Sequence, residues 1–464
     1  MSDLDYVGSD GLGLISAVRA RRVSARAVTE AALGRVATRG VAVNAFTAVL
    51  ADQARADADR VDEALAAGRD PGPLAGMPFA AKNLFDLAGV TTLAGSRINA
   101  SRPPATRDAP AVAALRRAGA ILVGALNMDE YAYGFTNENA HYGPVRNPHD
   151  PARVAGGSSG GSGAVVGAAV VPLALGSDTN GSVRVPAALC GAFGLKPTYG
   201  RVSRVGCAPL AGSLDHVGVL GRSVRDVTAA FDVMHGPDPA DPVCSPRPAE
   251  PCQSLLGQGI DGLRIAVLDG HFARGGEPEA QEAAAAAAAA LGVSRRVTIP
   301  EAHRARAAAM LITSCEGAAN HLDDLRTRPQ DLDPLTRDRF LAGALVPGGF
   351  YHQAQRFRAW YRAQVRRLFG EVDVLLAPTT PCPAPRIGQD RMVLDGVEVP
   401  ARTSLGLYTQ PISFIGLPVL SVPVAVGSLP LGVQIIGAPF REAHVLRVGA
   451  QLEAGGVAVA RVAP

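Results

Sequence analysis

Hydrophobic positions recur at helical intervals across residues 10–68, at Leu14, Val18, Val23, Val28 and Leu33 in an alanine-rich background. This spacing predicts a helical N-terminal region over residues 1–68. Residues 108–118 read as a further helix, and Ala120-Ile121-Leu122-Val123-Gly124 as the strand it feeds. The stretch 164–175 is apolar all round, so burial is expected whichever way it folds. Residues 263–268, 372–378, 419–426 and 432–436 read as strands. Residues 277–291 read as a helix, because the low-complexity run 283–290 is alanine, the strongest helix former. Residues 236–257 are rich in proline and predict an exposed excursion. The alternation shows no internal repeat and no long linker. It predicts one α/β domain over residues 1–464, with a large mixed β-sheet covered by helices on both faces.

Two stretches, 154–177 and 403–440, carry no charge. The first opens on a Gly/Ser run and the second is punctuated by Pro411, Pro418, Pro423, Pro430 and Pro439, so both predict buried strands and helix rather than membrane spans. A 47% apolar and 19% charged composition fits a well-packed enzyme. The net charge of +3 is near neutral for 464 residues, and the arginines occur as scattered pairs such as Arg21-Arg22 and Arg366-Arg367. Such pairs suit solvated helix faces and argue against nucleic acid as a direct ligand. The six cysteines (Cys190, Cys207, Cys244, Cys252, Cys315 and Cys382) form no CxxC or Cys/His cluster at metal spacing. Reduced thiols of a cytoplasmic protein are therefore expected, and no metal; only Cys244 and Cys252 hint at a bridge. The start, Met1-Ser2-Asp3-Leu4-Asp5, lacks the basic and apolar regions of a signal peptide.

Composition changes the picture most at lysine. Of 45 basic residues only Lys82 and Lys196 are lysines. Burial can make lysine neutral near pH 7, a role closed to arginine. Between the two lysines lie Gly156-Gly157-Ser158-Ser159-Gly160-Gly161-Ser162 and Gly176-Ser177-Asp178-Thr179-Asn180-Gly181-Ser182. A lysine upstream of two serine–glycine turns suggests a hydrolase whose base is lysine. Gly156–Gly160 also satisfies GxSxG, which would make Ser158 the nucleophile of a Ser-His-Asp enzyme. No apolar strand runs directly into it, and none of the nine histidines announces itself as the partner. A flexible linker is equally out of place in so apolar a segment.

Gly76-Met77-Pro78-Phe79-Ala80-Ala81-Lys82-Asn83, the GGSSGGS tract, the run from Gly176 to Gly200 and the tail from Gly432 to Phe440 together resemble the amidase signature family over nearly the whole chain. The resemblance places the catalytic signature core at 76–200 and the rest of the sheet, with the C-terminal block, at 258–464. It implies Lys82 as base, Ser158 as a relay serine on a cis peptide and Ser182 as nucleophile. Backbone N–H groups of Thr179, Asn180, Gly181 and Ser182 would form the oxyanion hole, with Ser159, Asp178 and Arg184 supporting. Lys196, in Gly194-Leu195-Lys196-Pro197, reads as structural. No metal or organic cofactor is implied. A homodimer is, and the family also allows a small helical accessory subunit.

Three positions depart from the usual pattern: Asn83 for aspartate, Asn180 for glycine and Ser413 for asparagine. They bear on substrate more than on mechanism. The segment Leu126–Gly134, together with Thr409-Gln410-Pro411-Ile412-Ser413-Phe414, resembles the carboxybiuret amidohydrolases of cyanuric acid degradation. Less closely it resembles the A subunits of tRNA-dependent amidotransferases, and a general small-amide amidase is the remaining enzymatic reading. A non-catalytic scaffold is disfavoured by intact Lys82, Ser158 and Ser182. For a small ureido or carboxylated substrate, Tyr131, Tyr133, Asn180 and Gln410 are candidate hydrogen-bonding contacts. An arginine not identifiable from sequence would bind a carboxylate.

Overall fold

Eleven strands form a single sheet among residues 5–463, the part of the chain that the computed structural model describes. They are β1 (Phe46–Val49), β2 (Pro78–Lys82), β3 (Ile121–Leu126), β4 (Leu173–Asp178), β5 (Phe193–Lys196), β6 (His216–Gly221), β7 (Ile265–Leu268), β8 (Arg296–Val297), β9 (Val374–Pro378), β10 (Val419–Val424) and β11 (Leu431–Gly437). Their spatial order is β1-β3-β2-β4-β6-β5-β10-β11-β9-β7-β8. β2 runs parallel to both β3 and β4, and β7 runs parallel to β9 and β8. The other pairs are antiparallel, so the sheet is mixed, as expected.

Successive strand residues serve different cores. Phe79, Leu122 and Leu173 belong to one apolar cluster, while Ala80, Ile121, Val123 and Ala174 belong to another. Both faces are thus covered, which is why these strands read as continuous hydrophobic runs rather than alternating ones. The helices begin where the sequence supplies caps: Asp10 accepts the Gly13 N–H and Ser24 the Ala27 N–H.

The N-terminal region is not wholly helical. Phe46–Val49 is the edge strand, inserted between a π-helical turn, Val36–Gly40, and the helix Ala51–Ala66. The excursion at 236–257 is mostly exposed, yet Asp241 and Cys252 are buried. Asp241 accepts the Arg204 N–H and pairs with its guanidinium, and Asp232 accepts the N–H of Cys252, so the segment is tied down at two points. Cys244 and Cys252 are both free thiols, against the hint of a bridge. Among the described residues no helix is long and apolar enough to cross a membrane. Residues 1–4, most of the segment read for a leader, lie outside the described part.

Candidate active site

Parallel pairing of β2 with β4, in which Ala81 faces Leu175, carries Lys82 to the same end of the sheet as Ser177 and Asp178. Lys82 is completely buried. Its Nζ donates to Ser158 Oγ at 2.7 Å and to Ser177 Oγ at 2.9 Å. Burial lowers the lysine's pKa from 10.5 to about 7, opposed chiefly by the charges of Asp129, Asp178 and Asp215. The Gly157–Ser158 peptide is cis. After it, the helix Gly160–Gly167 lies entirely inside the protein. Its glycines permit backbone contact: a Cβ at Gly163 would lie 2.8 Å from the Pro186 carbonyl.

Ser182 sits in the turn between β4 and the helix Arg184–Cys190. Gly181 has φ +143°, and a Cβ there would lie 2.3 Å from Thr409 Oγ1, which donates to the Asn180 carbonyl at 2.7 Å. Any side chain at 181 would therefore break the clamp on this turn. Asp178 takes Arg184 on both oxygens, Nε at 2.9 Å and Nη2 at 3.0 Å, and also accepts the Val183 N–H and the Ser413 hydroxyl. Arg184 further donates to Gln434 Oε1, the Thr409 carbonyl and Ser413 Oγ. Burial alone would raise the Asp178 carboxyl; the Arg184 guanidinium overrides it and holds the group well below the carboxylate range. Thr179 Oγ1 donates to Asp215 at 2.6 Å. Burial pushes the Asp215 carboxyl up to about 6. Among the described residues, the backbone N–H groups of Thr179, Asn180, Gly181 and Ser182 have no acceptor in the protein.

Ser159 ties the two serine turns together. Its N–H donates to the Ser182 carbonyl at 3.2 Å, and its hydroxyl bridges the Ser177 backbone. The main chains thus abut, although no hydrogen bond joins Ser158 Oγ to Ser182 Oγ. Lys196 is apart from this group, with Nζ on the carbonyls of Pro197 and Leu417.

A cavity of about 130 Å³ opens on Ser182, lined also by Asn180, Tyr133, Thr313, Gln410 and Arg339. Asn180 Nδ2 donates to Thr313 Oγ1 at 2.8 Å, while its buried Oδ1 has no partner. Gln410 Oε1 accepts from Arg306, and the Tyr133 hydroxyl meets Ser314 Oγ at 2.6 Å. The Arg339 guanidinium lies over the Tyr133 ring and donates to its carbonyl. A second cavity, of about 250 Å³, lies beyond Thr179 and reaches Ser177 and Asp215. Tyr131, read as a substrate contact, lines neither of these two cavities: its ring rests on His321, 3.8 Å between centroids, and its hydroxyl is buried. Ser177, Asp215, Thr313 and Arg339 are the site residues that sequence reasoning missed. Ser177 stood inside the Gly176–Ser182 turn and was open to notice; the other three carry no local signal.

Residues 27–446 match the Amidase family model. The chain is 52% identical to AtzE of the 1-carboxybiuret hydrolase of Pseudomonas sp. (strain ADP), where AtzE is one subunit, over 96% of this chain and 98% of that protein. It is 39% identical to the A-type subunit of the glutamyl-tRNA(Gln) amidotransferase of Roseiflexus sp. (strain RS-1), over 91% of each. Among solved structures, a vestigial protein complex bearing on the origins of an s-triazine catabolic enzyme aligns with TM-score 0.97 and 51% identity, over 97% of this chain and all of that one. A bacterial aryl acylamidase aligns with TM-score 0.88 and 27% identity, over 96% of each. With its signature turns, mixed sheet and relatives in agreement, this chain belongs to the amidase signature family and is an amidase.

Proposed function

We propose that this amidase hydrolyses a C–N bond of a small ureido or carboxylated substrate of the carboxybiuret kind, releasing ammonia by way of an acyl-enzyme on Ser182. The observation that carries the mechanism is the 2.7 Å contact between Lys82 Nζ and Ser158 Oγ in a site dry enough to hold the amine near neutrality. Neutral Lys82 takes the Ser158 hydroxyl proton as Ser158 takes that of Ser182. The Ser182 side chain closes the last gap when substrate binds, as catalytic hydrogen bonds commonly do. Ser182 Oγ then attacks the carbonyl carbon. The oxyanion is received by the free N–H groups of the 179–182 turn, each worth roughly 2.7–4 kcal/mol in such sites. Collapse breaks the C–N bond, and the proton held by Lys82 returns through Ser158 to the departing nitrogen, which leaves as ammonia. Water adds to the acyl or carbamoyl group by the same relay, gives up one proton and expels Ser182, which is reprotonated. No step calls for a cofactor.

The small cavity favours a compact substrate. Arg339 is the arginine placed to take a carboxylate, and the unpartnered Asn180 Oδ1 is an acceptor for a substrate N–H. The relative active on 1-carboxybiuret supports this class, and a role in cyanuric acid breakdown would follow from it. A cytoplasmic homodimer, with a small helical accessory subunit, is the assembly we propose; the relative's description as one subunit of its hydrolase favours a partner.

Ammonia release by the purified chain from carboxybiuret, biuret, allophanate, glutamine and a simple aliphatic amide tests the reading. Ureido compounds are expected to be preferred, with Ser182→Ala silent. Release from glutamine alone, with or without a partner, would favour the amidotransferase reading suggested by the 39% relatives.

A further inference from the structure

Asp129 is fully buried and has had none of the roles assigned so far. Its carboxylate is wedged between two backbones. A Cβ at Gly157 would lie 2.1 Å from Oδ2, and one at Gly134 2.3 Å from Oδ1. Oδ2 accepts the Asn137 N–H at 3.0 Å, and Oδ1 accepts from Arg402 Nη2 at 3.0 Å. The Asp129 N–H donates to the Ser158 carbonyl at 3.2 Å. One residue therefore fixes the turn on both sides of the Gly157–Ser158 peptide. Its carboxylate, though burial pushes its own pKa up, acts on Lys82 through space, since both hydrogen bonds of Nζ are to serines. Arg402 stands at the start of the short helix Ala401–Ser404, directly after the hairpin of strands Arg391–Leu394 and Val397–Pro400, so the pair also joins that hairpin to the catalytic turn.

We infer that Asp129, countered by Arg402, is a positioning residue that holds the Ser158 turn and sets how readily Lys82 gives up its proton. The inference rests on the reading of Lys82 as the base. The charged and titratable groups that face Lys82 include Asp129, Asp178, Asp215 and Cys207; those that face Asp129 include Arg402, Arg339, Asp333 and Lys82. Arg184 holds Asp178 on both oxygens, whereas Arg402 holds Asp129 on one only; Asp215 accepts three hydrogen bonds of its own. That leaves Asp129 with the largest hold on the lysine proton, a hold that Arg402 weakens. Removing the Asp129 charge should make Lys82 easier to deprotonate.

The chain has only two lysines, so lysine labelled with ¹³C at Cε gives two side-chain signals whose shifts can be titrated without substrate. The signal absent from Lys82→Met is that of Lys82. In Asp129→Asn its midpoint is expected to fall by at least about half a pH unit, a threefold change in the protonation constant, with the Lys196 midpoint unmoved. A Lys82 midpoint that stays in place or rises overturns the inference, as does an equal fall at Lys196. If Asp129→Asn does not fold, Arg402→Gln and Arg402→Lys decide the matter. The first should lower kcat by about tenfold or more and the second recover most of it, whereas a wild-type rate in Arg402→Gln overturns the inference. Should Lys82 of the wild type fail to titrate near neutrality, the base assignment falls and this inference with it. Should it titrate there and ignore Asp129→Asn, only this inference falls.

Discussion

Lys82→Arg is expected to leave a folded protein that releases ammonia at least about a thousandfold more slowly than the wild type at every pH between roughly 6 and 9. The substitution keeps the positive charge and loses only the ability to be neutral, because a guanidinium does not shed its proton in a protein. The wild type should behave differently across the same range. Burial brings the Lys82 pKa down to about 7, and the amine is the active form only when deprotonated. The kcat/KM profile should therefore rise with pH through a limb centred near 7 and level off above it. A rate that falls with rising pH through this region, or substantial activity in Lys82→Arg, would show that the lysine is not the base. Circular dichroism melts of the variant separate lost chemistry from lost fold.

The second large effect is one of stability. Arg184→Met is expected to cost about 3–5 kcal/mol, because it strands the fully buried Asp178 carboxylate without its counter-charge. The loss extends beyond one ion pair: Arg184 also holds Gln434, the Thr409 carbonyl and Ser413, which join the Ser182 turn to the C-terminal part of the chain. Asp178→Asn in the Arg184→Met background should recover part of the deficit by removing the orphaned charge, a coupling that a double-mutant cycle in urea measures. Equal stabilities for wild type and Arg184→Met would mean that the pair contributes nothing to the fold. Activity should vanish in both single variants, since the loop they release carries the backbone N–H groups proposed to receive the oxyanion.

Much of this site was legible in the chain because its pieces are local. Lys82 stood out by its rarity, and Ser158 and Ser182 by glycine-rich turns in apolar surroundings. The strands flanking them were equally plain, because a strand buried on both faces reads as an unbroken apolar run. What escaped was set by the fold. Ser177 reaches Lys82 only because β2 and β4 are parallel neighbours in that register. Arg339 and Thr313 come from helices far along the chain and enter the cavity through packing that no local pattern encodes. Phe46–Val49 is too short to show a two-residue period against the alanine-rich helices on either side. The packing of Tyr131 was equally hidden: its backbone, at φ 48°, sets its ring against His321.

From Val154 to Thr198 every residue of the chain is buried, and both serine turns lie in this stretch. Enzymes often carry their reactive groups on loose surface loops that open and fray long before the rest of the molecule melts. Here the serines proposed to react belong to an unbroken buried stretch. Amide exchange at the hydrogen-bonded positions of this stretch should proceed only through rare openings, and a protease finds no foothold there. Heat should accordingly extinguish catalysis at the temperature at which the whole fold collapses, with no earlier stage of a folded but inactive enzyme.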